Sequence, residues 1–324
     1  MEIKKVAIVG SGLIGSGWTA HLLCKGVTDI TLYDVNTAAL DKGKAQLTRN
    51  LDFLKGNGVI TQEQYQRYLS LPKFTLDLAE AARQADIIIE NGPENLAVKQ
   101  QILANVEAVC RPDAIITSST SGIMVNRIVA HAVHPERILG AHPYHPVYLL
   151  PLLEIVKNDR LEDTYLNAAL DFFKSVDKKP VVMQKESPGY IGSRLMFALF
   201  REAVQIVSEG VCDVEGLDTA FTFGPGLRYA LMGPFMVYQL TGGSGGIQGL
   251  FDGPMWEATK EWMPHLSRWT EWPKELDPFF RHDCKEEVDA MMAHRKPGQG
   301  QTNEELLQFR DTGLVKILKH HELL

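Results

Sequence analysis

Two residues in the middle of the chain carry side chains suited to acid–base chemistry. His142 ends a short apolar run, Arg137-Ile138-Leu139-Gly140-Ala141, and Glu154 lies twelve residues later inside a second one, Leu152-Leu153-Glu154-Ile155-Val156. If both runs are strands, the carboxylate in the second is buried, and a buried carboxylate is costly unless a partner meets it. His142 is the candidate partner. An imidazole held by a carboxylate through one ring nitrogen presents the other as a base or acid near neutral pH. The competing reading has His142 capping a strand and Glu154 turned to solvent.

A second constellation opens the chain. Lys5-Val6-Ala7-Ile8-Val9 reads as a buried strand, followed at once by Gly10-Ser11-Gly12-Leu13-Ile14-Gly15 and a stretch of helical periodicity. In this dinucleotide-binding arrangement Gly10 makes the tight turn and Gly12 lets the backbone N–H groups around Leu13 and Ile14 approach a pyrophosphate. Gly15 then allows the helix to pack close to the strand. The motif has the flanking context it needs: strand before, helix after, then Gly26 and a second strand over 30–34 ending in Asp34. A carboxylate there accepts hydrogen bonds from the adenosine ribose and repels a 2′-phosphate, which favours NAD over NADP.

These residues must be positioned by strands and helices that alternate. The pattern predicts a helix after Thr37 as N-cap, with Leu40, Leu47, Leu51 and Leu54 on one face, and a shorter one opened by a Thr61/Gln64 capping box. Together they form a helical insertion over about 37–70. Strands resume over 87–90 and 114–117. The first leads into a helix bearing Glu94 and Lys99, at the strand end where open α/β sheets hold ligands; the alternative is a Glu94 that compensates the helix dipole beside a solvated Lys99. After the second come Ser118, Ser119, Thr120 and Ser121, hydroxyls that either bind a substrate oxygen or cap a helix.

At 324 residues two domains are the default expectation, and 45% hydrophobic with 23% charged residues describe an ordinary globular protein. A net charge of -7 argues against nucleic acid as the main partner. The N-terminal apolar stretch is too short for a signal sequence, and no membrane is called for. The four cysteines are far apart and lack a Cys-x-x-Cys, which fits a reducing cytoplasm and indicates neither a disulfide framework nor a metal site.

Taken in order, these motifs resemble the 3-hydroxyacyl-CoA dehydrogenase superfamily. They comprise the three glycines, Asp34, Glu94-Asn95-Leu96-x-x-Lys99, the hydroxyl run ending in Ser121, His142 with Glu154, and Ser187-Pro188-Gly189-Tyr190-Ile191-Gly192-Ser193-Arg194. The resemblance spans roughly 3–240. It implies an α/β fold, with an N-terminal Rossmann-type NAD-binding domain over 1–187 followed by an all-α substrate and dimerisation domain over 188–324. It also implies a His142 base oriented by Glu154, a Ser121 that binds the substrate oxygen, and a cofactor site that includes Glu94, Lys99 and Ser119. Two positions depart from the family pattern: His145 and Ser193 stand where Asn is usual, so the substrate contacts differ.

A narrower resemblance, carried by Phe223-Gly224-Pro225-Gly226-Leu227-Arg228 and the Met232-Gly233-Pro234 that follows, is to the branch acting on free hydroxy acids of the carnitine and gulonate kind. Arg228 then becomes the candidate anchor for a substrate carboxylate, its guanidinium matching that group in a bidentate fork; otherwise it forms an ion pair within the second domain. The acyl-CoA reaction and a non-catalytic, NAD-bound crystallin-like role are the alternatives. In the second domain, the segment 191–209 is apolar nearly all round and is expected to be centrally buried. Asp213 is expected to cap the next helix. The Gly-rich 241–249 reads as a flexible loop. Trp256, Trp262, Trp269 and Trp272 form either a helical core or a box for a quaternary ammonium. The tail over 302–324 reads as an amphipathic helix.

Overall fold

The computed structural model describes residues 2–271, 273–276 and 283–324. The early strands are short, mostly apolar and mostly buried, the composition that parallel strands under helices require. They are β1 (Lys5–Val9), β2 (Asp29–Tyr33), β3 (Lys73–Thr75), β4 (Ile87–Glu90) and β5 (Ile115–Ser118). With β6 (Ile138–Pro143), β7 (Leu152–Lys157) and β8 (Lys179–Val182) they form one eight-stranded sheet, ordered β3-β2-β1-β4-β5-β6-β7-β8. All neighbours are parallel except β6 and β7, which run antiparallel.

The helices between them are α1 (Leu13–Cys24), α2 (Thr37–Gly56), α3 (Gln62–Ser70), α4 (Leu78–Ala82), α5 (Leu96–Glu107), α6 (Val125–Ile128) and α7 (Asp163–Ser175). One apolar cluster, with Ile8, Trp18, Leu51, Leu139 and Phe173, and a second, with Val9, Ile88, Val106 and Ile116, fill the spaces around the sheet. The insertion is α2 and α3, and Thr61 and Gln64 form the capping box. The cap of α2 is Asn36 rather than Thr37: Asn36 is extended and its side chain accepts from the Ala39 N–H, so Thr37 becomes the first helical residue. Asparagine is the stronger cap of the two.

Beyond β8 the chain is helical: α8 (Gly192–Ser208), α9 (Val214–Phe223), α10 (Pro225–Tyr229), α11 (Pro234–Thr241), α12 (Gly246–Asp252), α13 (Pro254–Trp262), α14 (Cys284–His294) and α15 (Asn303–His320). Asp213 caps α9 by accepting from Gly216 N–H. The chain divides into one compact unit of 1–192 with 314–324 and a second of 193–313. The division thus falls a few residues beyond 187, and the end of α15 belongs with the first unit, where Val315 and Leu318 join its core.

Three expectations for the second unit are corrected. The helix α8 is not buried within the chain: Leu195, Met196, Phe197, Leu199 and Phe200 are exposed, and Val204 is its one buried residue. Its apolar residues go round most of the helix, and most of them are exposed. The stretch 241–249 is not a loop, because it ends α11, makes a 3₁₀ turn at Gly243–Gly245 and enters α12. A Cβ on Gly242 would fall 1.6 Å from the Gly246 carbonyl oxygen, so the glycine serves close backbone approach. Trp256 and Trp262 are exposed rather than core, while Trp272 lies outside the described residues.

Candidate active site

The antiparallel pairing of β6 with β7 sets His142 directly opposite Glu154. His142 Nδ1–H donates to Glu154 Oε2 at 2.7 Å. Glu154 is fully buried, and its Oε1 accepts from the backbone N–H groups of Ile191 and Gly192 at 2.8 and 2.9 Å. The carboxylate is therefore saturated on both oxygens, which removes the objection to burying it. Because Nδ1 carries the proton toward Glu154, Nε2 is the nitrogen with a lone pair, and among the described residues no protein group bonds it. Tyr144 and Tyr190 flank the imidazole at ring distances of 5.3 and 5.5 Å.

Along the 118–123 loop the hydroxyls fall into two groups. Ser118 donates to Glu90, Ser119 to Asn91 Oδ1 at 2.8 Å, and Thr120 to Glu94 Oε1 at 2.7 Å. Ser121 is different: it is exposed, its backbone N–H donates to Glu94, and among the described residues its hydroxyl has no partner. Glu94 gathers the loop by accepting also from Gly122 and Ile123 N–H at 2.8 and 3.2 Å. Partial burial raises its carboxyl pKa, but the Thr120 and Gly122 hydrogen bonds and nearby Lys99 overcome that and hold it below the usual range.

Lys99 is 1% exposed and not solvated. Its ammonium donates to both oxygens of Glu90, at 3.1 and 3.0 Å, and to the Gly92 carbonyl at 3.2 Å. With all three donors used inside the protein it shapes the loop after β4 and offers none to a ligand.

Around the glycines, Gly10 has φ +94°, and a Cβ there would fall 2.8 Å from the Asn91 carbonyl oxygen; a Cβ on Gly15 would fall 2.0 Å from the Gly10 oxygen. A Cβ on Gly12 would meet nothing within 4 Å, so open space lies before it. The cap of α1 is Gly12, with no side chain over the first N–H groups, which leaves the amides at the Leu13 end of α1 open to an anion. Asp34 accepts from the Ser11 backbone N–H and hydroxyl through Oδ2 and from Val35 N–H through Oδ1. A cleft of about 500 Å³ includes Gly10, Gly12, Asp34, Val35, Gly92 and Ile102 in its wall. Open amides, a glycine facing empty space and a carboxylate at the end of β2 fit a dinucleotide without a 2′-phosphate.

Residues 5–187 match the 3-hydroxyacyl-CoA dehydrogenase NAD binding domain, and residues 189–277 match the C-terminal domain of the same enzymes. The chain belongs to the 3-hydroxyacyl-CoA dehydrogenase family. It is an NAD-dependent oxidoreductase with a Rossmann-like first unit. Family relatives include the L-carnitine dehydrogenase of Staphylococcus epidermidis, 36% identical over 97% of this chain and 92% of its own. That of Pseudomonas aeruginosa is 39% identical over 76% and 75%. Among solved structures, an NAD+-dependent 5-formyl-3-hydroxy-2-methylpyridine 4-carboxylic acid 5-dehydrogenase superposes with a TM-score of 0.77 at 27% identity, covering 99% of this chain and 98% of that one. An (S)-3-hydroxybutyryl-CoA dehydrogenase from Ralstonia eutropha gives 0.65 at 25% identity, over 93% and 98%.

Three sequence candidates remain. His145 is exposed in the turn after β6, before a cis peptide to Pro146. Ser193 is half-buried near the start of α8, and Arg228 is exposed on α10 with no ion pair among the described residues. Sequence reasoning missed Ser11, Glu90, Tyr144 and Tyr190. Glu90 had a usable signal, since a carboxylate closing the run Ile87-Ile88-Ile89 needs a buried partner for the same reason as Glu154.

Proposed function

We propose that the chain oxidises the 3-hydroxyl of a small, free L-3-hydroxy acid of the carnitine class to the 3-oxo acid. The observation that carries this is the His142–Glu154 pair, in which a fully buried carboxylate bonded on both oxygens holds Nδ1 and leaves Nε2 with its lone pair unused among the described residues. His142 takes the hydroxyl proton at Nε2. Glu154 stabilises the imidazolium that forms and keeps the ring in one tautomer. Ser121, whose hydroxyl the protein does not use, hydrogen-bonds the reacting oxygen as charge develops on it. NAD, when bound, supplies the hydride acceptor. Gly12 and the amides at Leu13 and Ile14 would receive its pyrophosphate, presented by the tight turn at Gly10 and the close packing at Gly15; Asp34 would take the ribose hydroxyls, and Glu94, Ser119 and Lys99 shape the loops beside it, Lys99 through Glu90.

Arg228, exposed and without an ion-pair partner among the described residues, takes the substrate carboxylate, and Ser193 and His145 contribute polar contacts in place of the family's usual Asn. A second copy of this chain covers the apolar face of α8, where Leu195 is 60% and Phe197 60% exposed, to make a homodimer. The relatives named L-carnitine dehydrogenase support the substrate class.

The test is NADH formation from L-carnitine, L-gulonate, L-3-hydroxybutyrate and L-3-hydroxybutyryl-CoA. Turnover confined to the free acids, lost with Arg228→Ala, is the expected result; preference for the thioester overturns the substrate reading. His142→Ala should abolish turnover while NAD still binds.

A further inference from the structure

We infer that Tyr190 is a positioning residue for the His142–Glu154 pair, acting through its ring and through the backbone turn it makes. The inference rests on the assignment of His142 as the base. Tyr190 has φ +47°, in the left-handed region that a bulky side chain rarely adopts, and it is 1% exposed. Such a conformation persists only where the surroundings over-determine it, and here three contacts do.

The first is the turn itself. Gly189, with φ +73°, and Tyr190 swing the chain so that the next two backbone N–H groups, of Ile191 and Gly192, both point at Glu154 Oε1. A residue at 190 in the ordinary right-handed or extended region would send those amides elsewhere and leave a buried carboxylate oxygen short of donors. The second is the ring, which meets the His142 imidazole edge-on at 5.5 Å and closes one side of it. Tyr144 closes another side at 5.3 Å. Its hydroxyl lies 1.9 Å from where a Cβ on residue 192 would be, so any other residue there would push the Tyr144 ring aside. The third is the phenol, which donates to the Ile123 carbonyl at 3.3 Å and so ties the turn to the loop that carries Ser121. Burial and the carboxylates of Glu186 and Glu94 push this phenol above the usual tyrosine range, so it stays a donor.

Glu154 is thus held in plane by His142 on one oxygen and by the Tyr190 turn on the other. With the imidazole confined between two rings, the direction of Nε2 is fixed before substrate arrives. Preorganisation of this kind governs turnover more than binding, because a small misplacement of a base raises the barrier without weakening the ground-state complex.

The test compares Tyr190→Phe, which keeps the ring and loses the hydroxyl's ties to Ile123 and Thr120, with Tyr190→Asn, which tolerates the left-handed turn but removes the ring. Three readouts apply: kcat at saturating substrate, NAD affinity by fluorescence, and the NMR resonance of the His142 Nδ1 proton, assigned by its disappearance in His142→Gln. The Phe variant should stay near the parent. The Asn variant should lose roughly tenfold or more in kcat, with NAD affinity unchanged and the Nδ1 proton resonance shifted or broadened. If the Asn variant does not fold, Tyr190→Gly, which adopts positive φ freely, takes its place with the same expectations. A ringless variant with parental kcat and a parental resonance overturns the inference, as does a loss of kcat matched by an equal loss of NAD affinity. The resonance is read without turnover. An active His142→Gln would therefore remove the base assignment while leaving the link from Tyr190 to the imidazole to be judged by the spectrum.

Discussion

The sheet buries two carboxylates whose partners differ, Glu90 at the end of β4 and Glu154 in β7. Glu90 meets Lys99, and every polar atom of that pair is used: both carboxylate oxygens take the ammonium, with Gly92 N–H and the Ser118 hydroxyl completing the set. Glu154 is also bonded on both oxygens, by three hydrogen bonds rather than four, and its partner is an imidazole. A lysine offers donors only, whereas a neutral imidazole donates from one nitrogen and accepts at the other. Burial with both oxygens bonded therefore yields a fixed internal strut in one case and an open ring nitrogen in the other. The difference lies in the partner's second nitrogen, not in the carboxylate.

The largest test of that contrast is Glu154→Gln. The amide keeps the size of the side chain but not the charge that stabilises an imidazolium, and kcat should fall by roughly 10²–10⁴. Unfolding free energy and NAD affinity should move far less. A Glu154→Gln protein that turns over at the parental rate would make the two pairs equivalent and end the distinction.

On the other side of the comparison, Lys99→Met leaves the Glu90 charge buried with no cation, which should destabilise the fold by about 3–5 kcal/mol in chemical denaturation. The double variant Glu90→Gln/Lys99→Met should recover most of that loss, because the uncompensated charge is gone. If the double variant is as unstable as the single one, the pair is held for its hydrogen bonds to Gly92 and Ser118 rather than for its charges.

Much of the first unit was legible in the sequence, because each element there has a local cause. The glycine spacing after β1, the carboxylate closing β2 and the capping box of α3 are set by a few adjacent residues. The His142–Glu154 pair was legible for a different reason, as a charge in an apolar run implies a partner. What could not be read depended on distant contacts. A tyrosine at positive φ has no sequence signal, since its conformation is imposed by Glu154 and His142 from other strands. Nor did Gly242 and Gly249 declare that they serve close packing of the end of α11 against α12 rather than flexibility. The exposed apolar face of α8 was not legible because periodicity reports that a helix is apolar, not whether other parts of the chain pack on it. Thr37 and Asn36 are both capping types, and only backbone geometry separated them.

A second buried lysine sharpens the contrast by having no carboxylate partner. Lys178 is 1% exposed and donates to the carbonyls of Val147 and Leu150, at 2.6 and 2.9 Å, in the turn that follows His142 and His145. Burial first, and then the charge of Lys25, lower its pKa to about 7 from the usual 10.5. Nearby on α1, His21 donates from Nε2 to the Val176 carbonyl at 2.8 Å, and burial with the neighbouring Lys178 holds its pKa well below 6.5. Between pH about 7 and 10.5 the unfolded chain binds a proton at Lys178 that the folded protein does not, so stability rises with pH across that window. His21 acts in the same sense at lower pH, where the unfolded imidazole takes up a proton that the folded one refuses. Lys178→Met removes the first contribution. Its stability relative to the parent, followed by urea unfolding as a function of pH, should be most favourable below about 7 and should decline toward 10.5. Lys99→Met, whose defect is a stranded carboxylate, should lack that decline; a flat difference for Lys178→Met would mean that its two carbonyls hold the buried ammonium as well as Glu90 holds that of Lys99.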